Sequence, residues 1–481
     1  MVRRSVWFGS LLLALSACAS PCSPGGLQVE LDLAVPGDVV LAGACRVEGP
    51  LVVGPGVTLR GGTDSVLASG RPTDALVTLG EGARLESMSL DASGRAGVVM
   101  GPGAALLDVE VRLTHGVGVY AVGGAVSLEG VTIAGPVTAD NALEPRWLDV
   151  AGAPTAGCAA APCECDGDID ATLERVCVSG VYRTWTATLG LYVRDATVVA
   201  TGLSVSGTAE LAVAADNSTL VWTGGGVSQA LGAGVLLRGG DAELNGVRIE
   251  RVLAGLRGQP SYGLVSADGN ELVTHDLSIV DGERYGLLQV GGRGEHERLT
   301  IEGNGDVAAW VTDAEAFAVR GESVLRGNGF AGMVVDASDA VHLEGLLVED
   351  TATVRRNIGD FGARSIGDGI QLIRPGNDVV LRDVTVRGNE RVGLLVDEAA
   401  SVTFVSVTAS SSGEAYGALA GDRDVSAGSI VLATPAGWDT GISRVGEAAT
   451  NDGAASGAFD AIVTPASVEA GGVLGIIAPM Y

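Results

Sequence analysis

The stretch Val379-Val-Leu-Arg-Asp-Val-Thr-Val-Arg-Gly-Asn-Glu-Arg-Val-Gly-Leu-Leu-Val396 decides the fold. Apolar residues alternate with polar ones at Val379/Leu381 and again at Val384/Val386, and a Gly-Leu-Leu-Val sequence closes the stretch. A period of two is typical of β-strands, and no helical period lies between the apolar pairs. The stretch therefore predicts three short strands within one segment of about 22 residues.

The same glycine-initiated signature recurs along the chain, with several steps of 21 to 24 residues and longer steps that indicate insertions. The repeats begin at Gly118, Gly190, Gly234, Gly263, Gly286, Gly332, Gly369 and Gly393. One such coil cannot bury its apolar face alone, so successive coils must stack.

This pattern resembles the right-handed parallel β-helix of the pectate-lyase-like superfamily over about residues 27–420. The resemblance implies an all-β, single-stranded right-handed solenoid with three short strands per coil of about 22 residues. Asn304, Asn328 and Asn389 each follow a Gly after the third strand. We expect these Asn residues to satisfy backbone groups of the turn and to tolerate the left-handed conformation.

The composition excludes several classes of protein. The chain has 73 Gly, 47% apolar residues and only 4% aromatics, which excludes a disordered chain, and the Gly residues lack the strict period of collagen. All 30 basic residues are Arg, and the net charge of −28 argues against nucleic acid as a partner. The sequence contains no phosphate loop or nucleotide-binding fingerprint, so no nucleotide is expected.

The N-terminus predicts export to a bacterial cell envelope. Arg3 and Arg4 precede a short apolar run that ends in Leu15-Ser-Ala-Cys18. This ending resembles the lipobox of bacterial lipoproteins, which implies a signal peptide at residues 1–17, lipidation of Cys18 and a tether at 18–26. By the rules of that family, Ala19 in place of Asp favours the outer membrane or cell surface. Ordinary secretion with cleavage nearby is the alternative.

Six further cysteines are candidates for disulfide bonds, because an even number in an exported chain is typical of a disulfide framework. Cys22 and Cys45 are close in sequence and are expected to pair with each other. The other four are Cys158, Cys163, Cys165 and Cys177, whose pairing stays open. A zinc site is the alternative, although the usual Cys-x2-Cys pairs are missing.

Three segments interrupt the repeat. Residues 134–187 contain four Pro and the cysteine cluster, and predict a disulfide-rich insertion. Residues 350–368 predict a polar loop, and residues 421–481 predict a C-terminal cap or last irregular coils, because a solenoid needs its end covered.

The outward position of the first strand lies two residues after each signature Gly. In this sequence it holds neither acids nor bases, which argues against a lyase or hydrolase with its site there. The outward residues are Tyr120, Tyr192, Ala214, Leu236, Val265, Leu288, Trp310, Val334, Gln371 and Leu395. Either another segment covers this apolar stripe, or it is an interaction surface with Tyr120, Tyr192 and Trp310 as aromatic platforms.

Aspartates recur at the turn that follows the first strand. They are Asp195, Asp216, Asp268, Asp313, Asp336 and Asp397. Asp side chains stabilise turns locally, which is one interpretation. A ladder of Ca²⁺ sites is the other, because calcium prefers several carboxylate oxygens. Calcium is the one cofactor that the sequence suggests.

The polar loop and its flanks form the best local candidate for sugar binding. They combine Glu349, Asp350, Arg355, Arg356, Asp360, Arg364 and Asp368. Salt bridging at the surface is the alternative interpretation. The repeat register places His342 outward and His296 inward, where a structural role is expected.

The sequence therefore predicts a non-catalytic, envelope-anchored β-helix lipoprotein that binds a polysaccharide or protein partner along its side. One alternative is a polysaccharide lyase, glycoside hydrolase or epimerase, which rests on the fold alone. A passive structural protein of the envelope is the other alternative.

Overall fold

The structure is a computed structural model, and it shows a parallel β-solenoid of about 12 turns with little helix. The described residues are 26–42, 45–47, 50–62, 66–69, 75–92, 96–114, 116–137, 175–178, 181–184, 188–255, 260–357, 363–376, 378–397, 402–411, 428–433, 442–444 and 450–451.

Three parallel sheets run along the solenoid, and each coil contributes one strand segment to each sheet. Six long strands bend around a corner and belong to two or three sheets. They are β7 (Arg84–Ala92), β9 (Ala105–Leu113), β10 (Gly116–Glu129), β14 (Thr188–Ser206), β15 (Leu211–Ser228) and β16 (Ala233–Asn245).

The remaining strands of the solenoid each belong to one sheet. Sheet 1, which carries the signature Gly, also contains β3 (Leu51–Val53), β6 (Ala75–Leu79), β8 (Ala96–Met100), β18 (Tyr262–Ala267), β21 (Tyr285–Val290), β24 (Ala309–Thr312), β27 (Phe330–Asp336), β31 (Ala363–Ile373), β34 (Val392–Asp397) and β37 (Gly428–Ala433). Sheet 2 also contains β1 (Val39–Leu41), β4 (Thr58–Arg60), β19 (Glu271–His275), β22 (Arg293–Glu297), β25 (Ala316–Arg320), β28 (Val341–Glu344), β32 (Val379–Arg382), β35 (Val402–Val405) and β38 (Ile442–Arg444). Sheet 3 also contains β2 (Cys45–Val47), β5 (Val66–Ser69), β11 (Thr132–Ala134), β17 (Arg248–Glu250), β20 (Ser278–Val280), β23 (Thr300–Glu302), β26 (Ser323–Arg326), β29 (Leu346–Glu349), β33 (Thr385–Asn389), β36 (Thr408–Ser411) and β39 (Thr450–Asn451).

Three strands lie outside these ladders. β12 (Arg175–Val178) and β13 (Val181–Thr184) form an antiparallel hairpin, within the segment where the sequence predicts an insertion. The coil of β10 and β11 pairs directly with β14, so the solenoid continues in register across that segment. β30 (Val354–Asn357) pairs antiparallel with the start of β31, so part of the expected polar loop is a β-hairpin.

The signature Gly allows the chain to turn from sheet 3 into sheet 1. A Cβ at Gly286 would lie 2.4 Å from the Ala308 carbonyl oxygen and 2.5 Å from Ile301 Cγ2. Gly286 and Leu287 both face the core, whereas Tyr285 and Leu288 belong to a cluster outside it. Only Gly fits, because the neighbouring coil and sheet 3 approach this backbone so closely.

The corner between sheets 2 and 3 has one residue with positive φ in each of twelve coils, with values from 51° to 66°. They are Ser87, Asp108, Gly130, Gly202, Gly224, Gly246, Asp276, Arg298, Gly321, Gly345, Asp383 and Ser406. Half of these positions are Gly, which adopts this conformation without steric cost. This corner accounts for part of the Gly content.

The predicted Asn residues bridge successive coils. The Asn328 side-chain oxygen accepts a hydrogen bond from the Asn304 backbone N–H at 3.0 Å, and Asn389 does the same for Thr351. All three Asn are buried, and the left-handed φ belongs to the Gly before each, such as Gly303. The expectation that Asn satisfies the turn is confirmed, whereas the left-handed conformation lies one residue earlier.

A helix that the sequence analysis missed covers the N-terminal end of the solenoid. α1 (Gly26–Leu33) buries Leu27 and Leu31 against the apolar core. The Gln28 side chain bonds both the N–H and the carbonyl of Val52, so it pairs with the edge strand β3. α1 therefore covers the open sheet edge at the N-terminal end of the solenoid. Within the described part of the chain, no helix is long and apolar enough to cross a bilayer.

The solenoid continues at its other end into the segment predicted as a cap or last irregular coils. β37, β38 and β39 pair with β34, β35 and β36, and so add another coil beyond residue 420. The sequence pattern fades there because Ala, Gly and Ser replace the large aliphatic residues.

Candidate functional site

The candidate site is the outer face of sheet 1, where the strand pairing places the predicted outward residues in one column. Each residue pairs with its counterpart in the next coil, which confirms the predicted register. The column is Tyr120, Tyr192, Ala214, Leu236, Val265, Leu288, Trp310, Val334, Gln371 and Leu395.

The aromatic residues of this face are buried and stack on one another. Tyr120, Tyr192 and Trp310 are 8%, 2% and 3% exposed. The Tyr120 and Tyr192 rings lie 5.5 Å apart at 19°, and Tyr262 and Tyr285 lie 5.1 Å apart at 13°. Their ring faces contact each other, so these side chains do not offer the open platforms that a sugar ring would need.

Trp310 ends the second stack. Its ring centroid lies 6.0 Å from that of Tyr285. Its Nε1–H is buried and has no hydrogen-bond partner among the residues that the structure describes. The hairpin of β30 and β31 packs against the same cluster through Val354 and Ile366. The apolar stripe is therefore covered in part by the segment in which the sequence predicted a polar loop.

Ion pairs that the sequence analysis missed lie beside the aromatic column. Asp216 accepts hydrogen bonds from the Tyr192 hydroxyl at 2.6 Å and from Arg238 Nε at 2.6 Å. Arg284 donates to Asp306 at 2.7 Å and lies 5.6 Å from the centre of the Tyr285 ring. Burial also raises the pKa of Tyr262, whose ring stacks on Tyr285.

The most deeply buried of these pairs joins Asp368 to Arg391. They are 0% and 2% exposed. Arg391 Nε donates to Asp368 at 2.5 Å, and its Nη2 makes a second contact with the same carboxylate. Gln371, from the predicted outward column, donates to Asp368 at 2.7 Å. Asp368 is thus a structural centre of the sheet 1 face.

Of the residues predicted to form one sugar-binding loop, the three with described side chains lie at different places on the solenoid. Asp350 is exposed at the corner between sheets 3 and 1, with a φ of 59°. Glu349 lies on sheet 3, where the hydrogen bond from Arg387 and the contacts of Arg326 lower its pKa. Asp368 lies on the outer face of sheet 1. The other candidates have side chains outside the described residues: Arg355, Arg356, Asp360 and Arg364.

The turn aspartates do not stack into a ladder. Asp195, Asp268 and Asp313 lie at the corner after sheet 1 with positive φ, where short polar side chains are tolerated. Asp216 and Asp336 lie one position earlier, on the strands, as does Asp397. No two of the six occupy the same position in neighbouring coils, because Asn217 and Gly291 intervene.

The structure describes only part of what bears on the predicted metal sites and disulfide bonds. Among the described residues, no three His, Cys, Asp or Glu side chains are grouped as metal ligands. Asp336 instead bonds Arg374 at 2.8 Å. The cysteines lie outside the described side chains, although Cys45 and Cys177 belong to strands β2 and β12.

The histidines occupy the predicted sides of sheet 2. His296 faces the core at 2% exposure, with Thr274 Oγ1 at 2.9 Å from its Nδ1. Burial lowers the pKa of His296 to about 3. His342 faces outward, 3.1 Å from Asp378. A neutral His296 is a structural group of the interior.

The arrangement favours packing over acid–base chemistry. Asp216, Asp306 and Asp368 are each bound to an Arg of a neighbouring coil. General acid–base catalysis needs a carboxyl group that can exchange a proton at the substrate. A carboxylate whose oxygens are already bonded to Arg is not free to approach a substrate.

Comparison with solved structures finds pectate-lyase-like right-handed β-helix proteins. A variant of the periplasmic alginate epimerase AlgG matches with a TM-score of 0.41 at 10% identity, over 86% of this chain and 79% of that chain. The catalytic unit of a GH87 α-1,3-glucanase from Streptomyces thermodiastaticus has a TM-score of 0.32 at 14% identity, over 88% of this chain and 66% of that chain. PfbA, a surface adhesin of Streptococcus pneumoniae, has a TM-score of 0.34 at 7% identity, over 80% of this chain and 87% of that chain. No family model matches the chain, and no curated protein matches it significantly. These likenesses concern the fold.

Proposed function

We propose that the chain is a non-catalytic β-helix protein of a bacterial envelope, held by lipid on Cys18, that binds a polysaccharide along its side. The observation that carries this proposal is the pairing of sheet 1 acids with arginines, namely Asp216, Asp306 and Asp368. These groups stabilise the solenoid and leave its sides to act as a surface.

Sheet 3 offers the better contact surface, because the Arg side chains of its outward column are exposed. Glu302, Arg326, Glu349 and Arg387 follow one another in a single outward column of four successive coils. Arg326 and Arg387 side chains are 48% and 59% exposed. Alternating charges and spare Arg N–H donors suit a long polar polymer, whose hydroxyl and carboxyl oxygens repeat along its length.

The envelope location rests on the N-terminal sequence that ends in Cys18. It predicts that the protein from bacterial membranes begins at Cys18 and carries the mass of added acyl chains. Mass spectrometry of the purified protein tests this part separately from ligand binding.

A glycan array tests the binding proposal, with the chain lacking residues 1–18 as the probe. We expect a polysaccharide hit that is weakened by Arg326→Gln/Arg387→Gln and retained in the matched sheet 2 variant Arg60→Gln/Arg293→Gln. Product analysis of each hit follows. Release of shortened, unsaturated or epimerised sugar would overturn the non-catalytic assignment in favour of a lyase, hydrolase or epimerase. Absence of any hit would favour a passive structural role.

A further inference from the structure

The N-terminal end of the solenoid has an unusual surface. Eight large apolar side chains are exposed among the described residues, and six of them fall within residues 29–52. We call these six the end patch: Val29, Leu33, Val35, Val39, Leu41 and Val52, with exposures from 48% to 78%. The clustering is notable because single exposed apolar residues are ordinary, whereas a group at one place marks a contact surface.

The end patch combines a helix with the outer faces of the first coil. Leu33 lies on α1, whose Leu27 and Leu31 are already buried in the core. Val39 and Leu41 face outward on β1. In the next coil their pairing partners are Thr58 and Arg60, followed by Arg84 and Glu86. The outward positions of sheet 2 therefore change from apolar to polar immediately after the first coil.

The chain length between Cys18 and α1 limits what this patch can contact. Seven residues lie between Cys18 and Gly26, so eight Cα-to-Cα steps join the two. Eight steps span at most about 28 Å when the chain is fully extended. A lipid on Cys18 would therefore hold the start of α1 within about that distance of the bilayer, while the other end of the solenoid is free to be much further away.

The geometry points to the end patch as a seat on the lipid surface: α1 and the first coil rest in the headgroup region of the membrane that Cys18 enters. This inference depends on the proposed acylation of Cys18. Aliphatic side chains gain free energy on leaving water at such a boundary, and the lipid supplies the second attachment.

The charged residues near the end patch indicate which type of lipid headgroup it suits. Glu30, Asp32 and Asp38 are exposed beside it, and the whole chain has a net charge of −28. Anionic lipids would repel these groups, so the patch suits a zwitterionic surface. The same repulsion keeps the sides of the solenoid away from the bilayer, and leaves sheet 3 open to the medium.

Photo-crosslinking tests this seat with the mature, lipidated full chain in phosphatidylcholine vesicles that contain a photoactivatable phospholipid. We expect labelled peptides from residues 27–53. The variant Leu33→Glu/Leu41→Glu should lose this labelling by about fivefold or more while the protein still floats with the vesicles. The matched control Val122→Glu/Val199→Glu changes two exposed apolar residues on the sides and should keep it.

Two results would contradict the proposed contact between the end patch and the lipid surface. One is labelling that is spread evenly along the chain or unchanged in Leu33→Glu/Leu41→Glu. The other is a fall in molar mass by light scattering in that variant, which would show that the patch joins two copies. Failure of the anchor itself is distinguishable, because the protein would then carry no acyl mass and would not float. Circular dichroism of both variants verifies that the solenoid is folded.

Discussion

The outer faces of sheets 1 and 3 use the same ion pairs in opposite surroundings. On sheet 1, Asp368 and Arg391 are almost fully buried. On sheet 3, Arg248 donates to Glu250 at 2.8 Å with 55% of its side chain exposed. Both pairs satisfy a carboxylate with a guanidinium, yet one is removed from water and the other remains in it.

This difference in burial indicates which face aligns the coils and which face can adapt to a ligand. A buried pair is retained only if both partners are present, because either charge alone is strongly destabilising in a low dielectric. An exposed pair contributes little and tolerates change, because water solvates whichever partner remains. Sheet 1 therefore fixes the alignment of the coils, whereas sheet 3 can vary its charges to suit a ligand.

Removing Arg391 should have the largest effect. Arg391→Met leaves Asp368 as an unpaired buried carboxylate, and we expect the free energy of unfolding to fall by about 3–5 kcal/mol. Guanidinium denaturation followed by circular dichroism measures this loss. The double variant Asp368→Asn/Arg391→Met removes both charges and should recover more than half of it. A double variant as unstable as the single one would contradict the role assigned to the pair.

The hydroxyl of Tyr192 should have the next largest effect. Tyr192→Phe removes the donor to Asp216, and a hydrogen bond to a charged group contributes about 1.5–3 kcal/mol. Tyr262→Phe is the control, because the Tyr262 ring is also stacked, while its hydroxyl bonds no carboxylate among the described residues. Equal losses in the two variants would mean that ring packing, and not the bond to Asp216, carries the effect.

A buried and an exposed histidine on sheet 2 extend this comparison to the pH dependence of stability. His296 is buried and its pKa is lowered to about 3, whereas His275 is 40% exposed on the preceding coil. The unfolded chain binds a proton at His296 near pH 6.5 and the folded chain does not. Stability is therefore full above about pH 6.5 and falls as the pH decreases towards 3, by about 2 kcal/mol at pH 5.

The variant His296→Gln tests this titration, because Gln can still bond Thr274 and carries no proton that titrates. We expect the difference in unfolding free energy between pH 7 and pH 5 to shrink by about 2 kcal/mol relative to the parent chain. A parallel pH dependence in the parent chain and His296→Gln would exclude His296 as its source.

The sequence predicted the column through Tyr120 and Trp310 because the signature Gly marks the same point in every coil. It named Asp216 as a turn aspartate and Asp368 as part of the polar loop, but missed that each pairs with an Arg on the outer face of sheet 1. The chain turns at Gly369, so Asp368 also faces outward, and simple alternation assigns it to the wrong side. The pair of Asp368 and Arg391 was therefore not recognised.

The ends of the solenoid were less predictable for a different reason. α1 spans only eight residues and buries just Leu27 and Leu31, so its apolar period is too short to recognise. Burial of the aromatic stripe could not be deduced either, because it depends on segments such as the hairpin of β30 and β31 that fold back from another coil. The period of apolar residues predicts which face of its own strand a side chain lies on. It does not predict whether another segment of the chain packs over that face.

The smallest effect is expected for the exposed pair on sheet 3. The hydrogen bond from Arg248 lowers the pKa of Glu250, so the pair is fully charged at neutral pH and loses its charge only in acid. Arg248→Gln should reduce the free energy of unfolding by less than about 1 kcal/mol, because Arg248 is largely solvated and Glu250 keeps contact with water. In 1 M salt the free energies of unfolding of the parent chain and the variant should become nearly equal, since screening removes the remaining attraction between the two charges. Guanidinium is itself a salt, so urea denaturation is the suitable measurement. A loss as large as that of Arg391→Met would remove the distinction between the two faces, because it would mean that sheet 3 also aligns the coils through its charges.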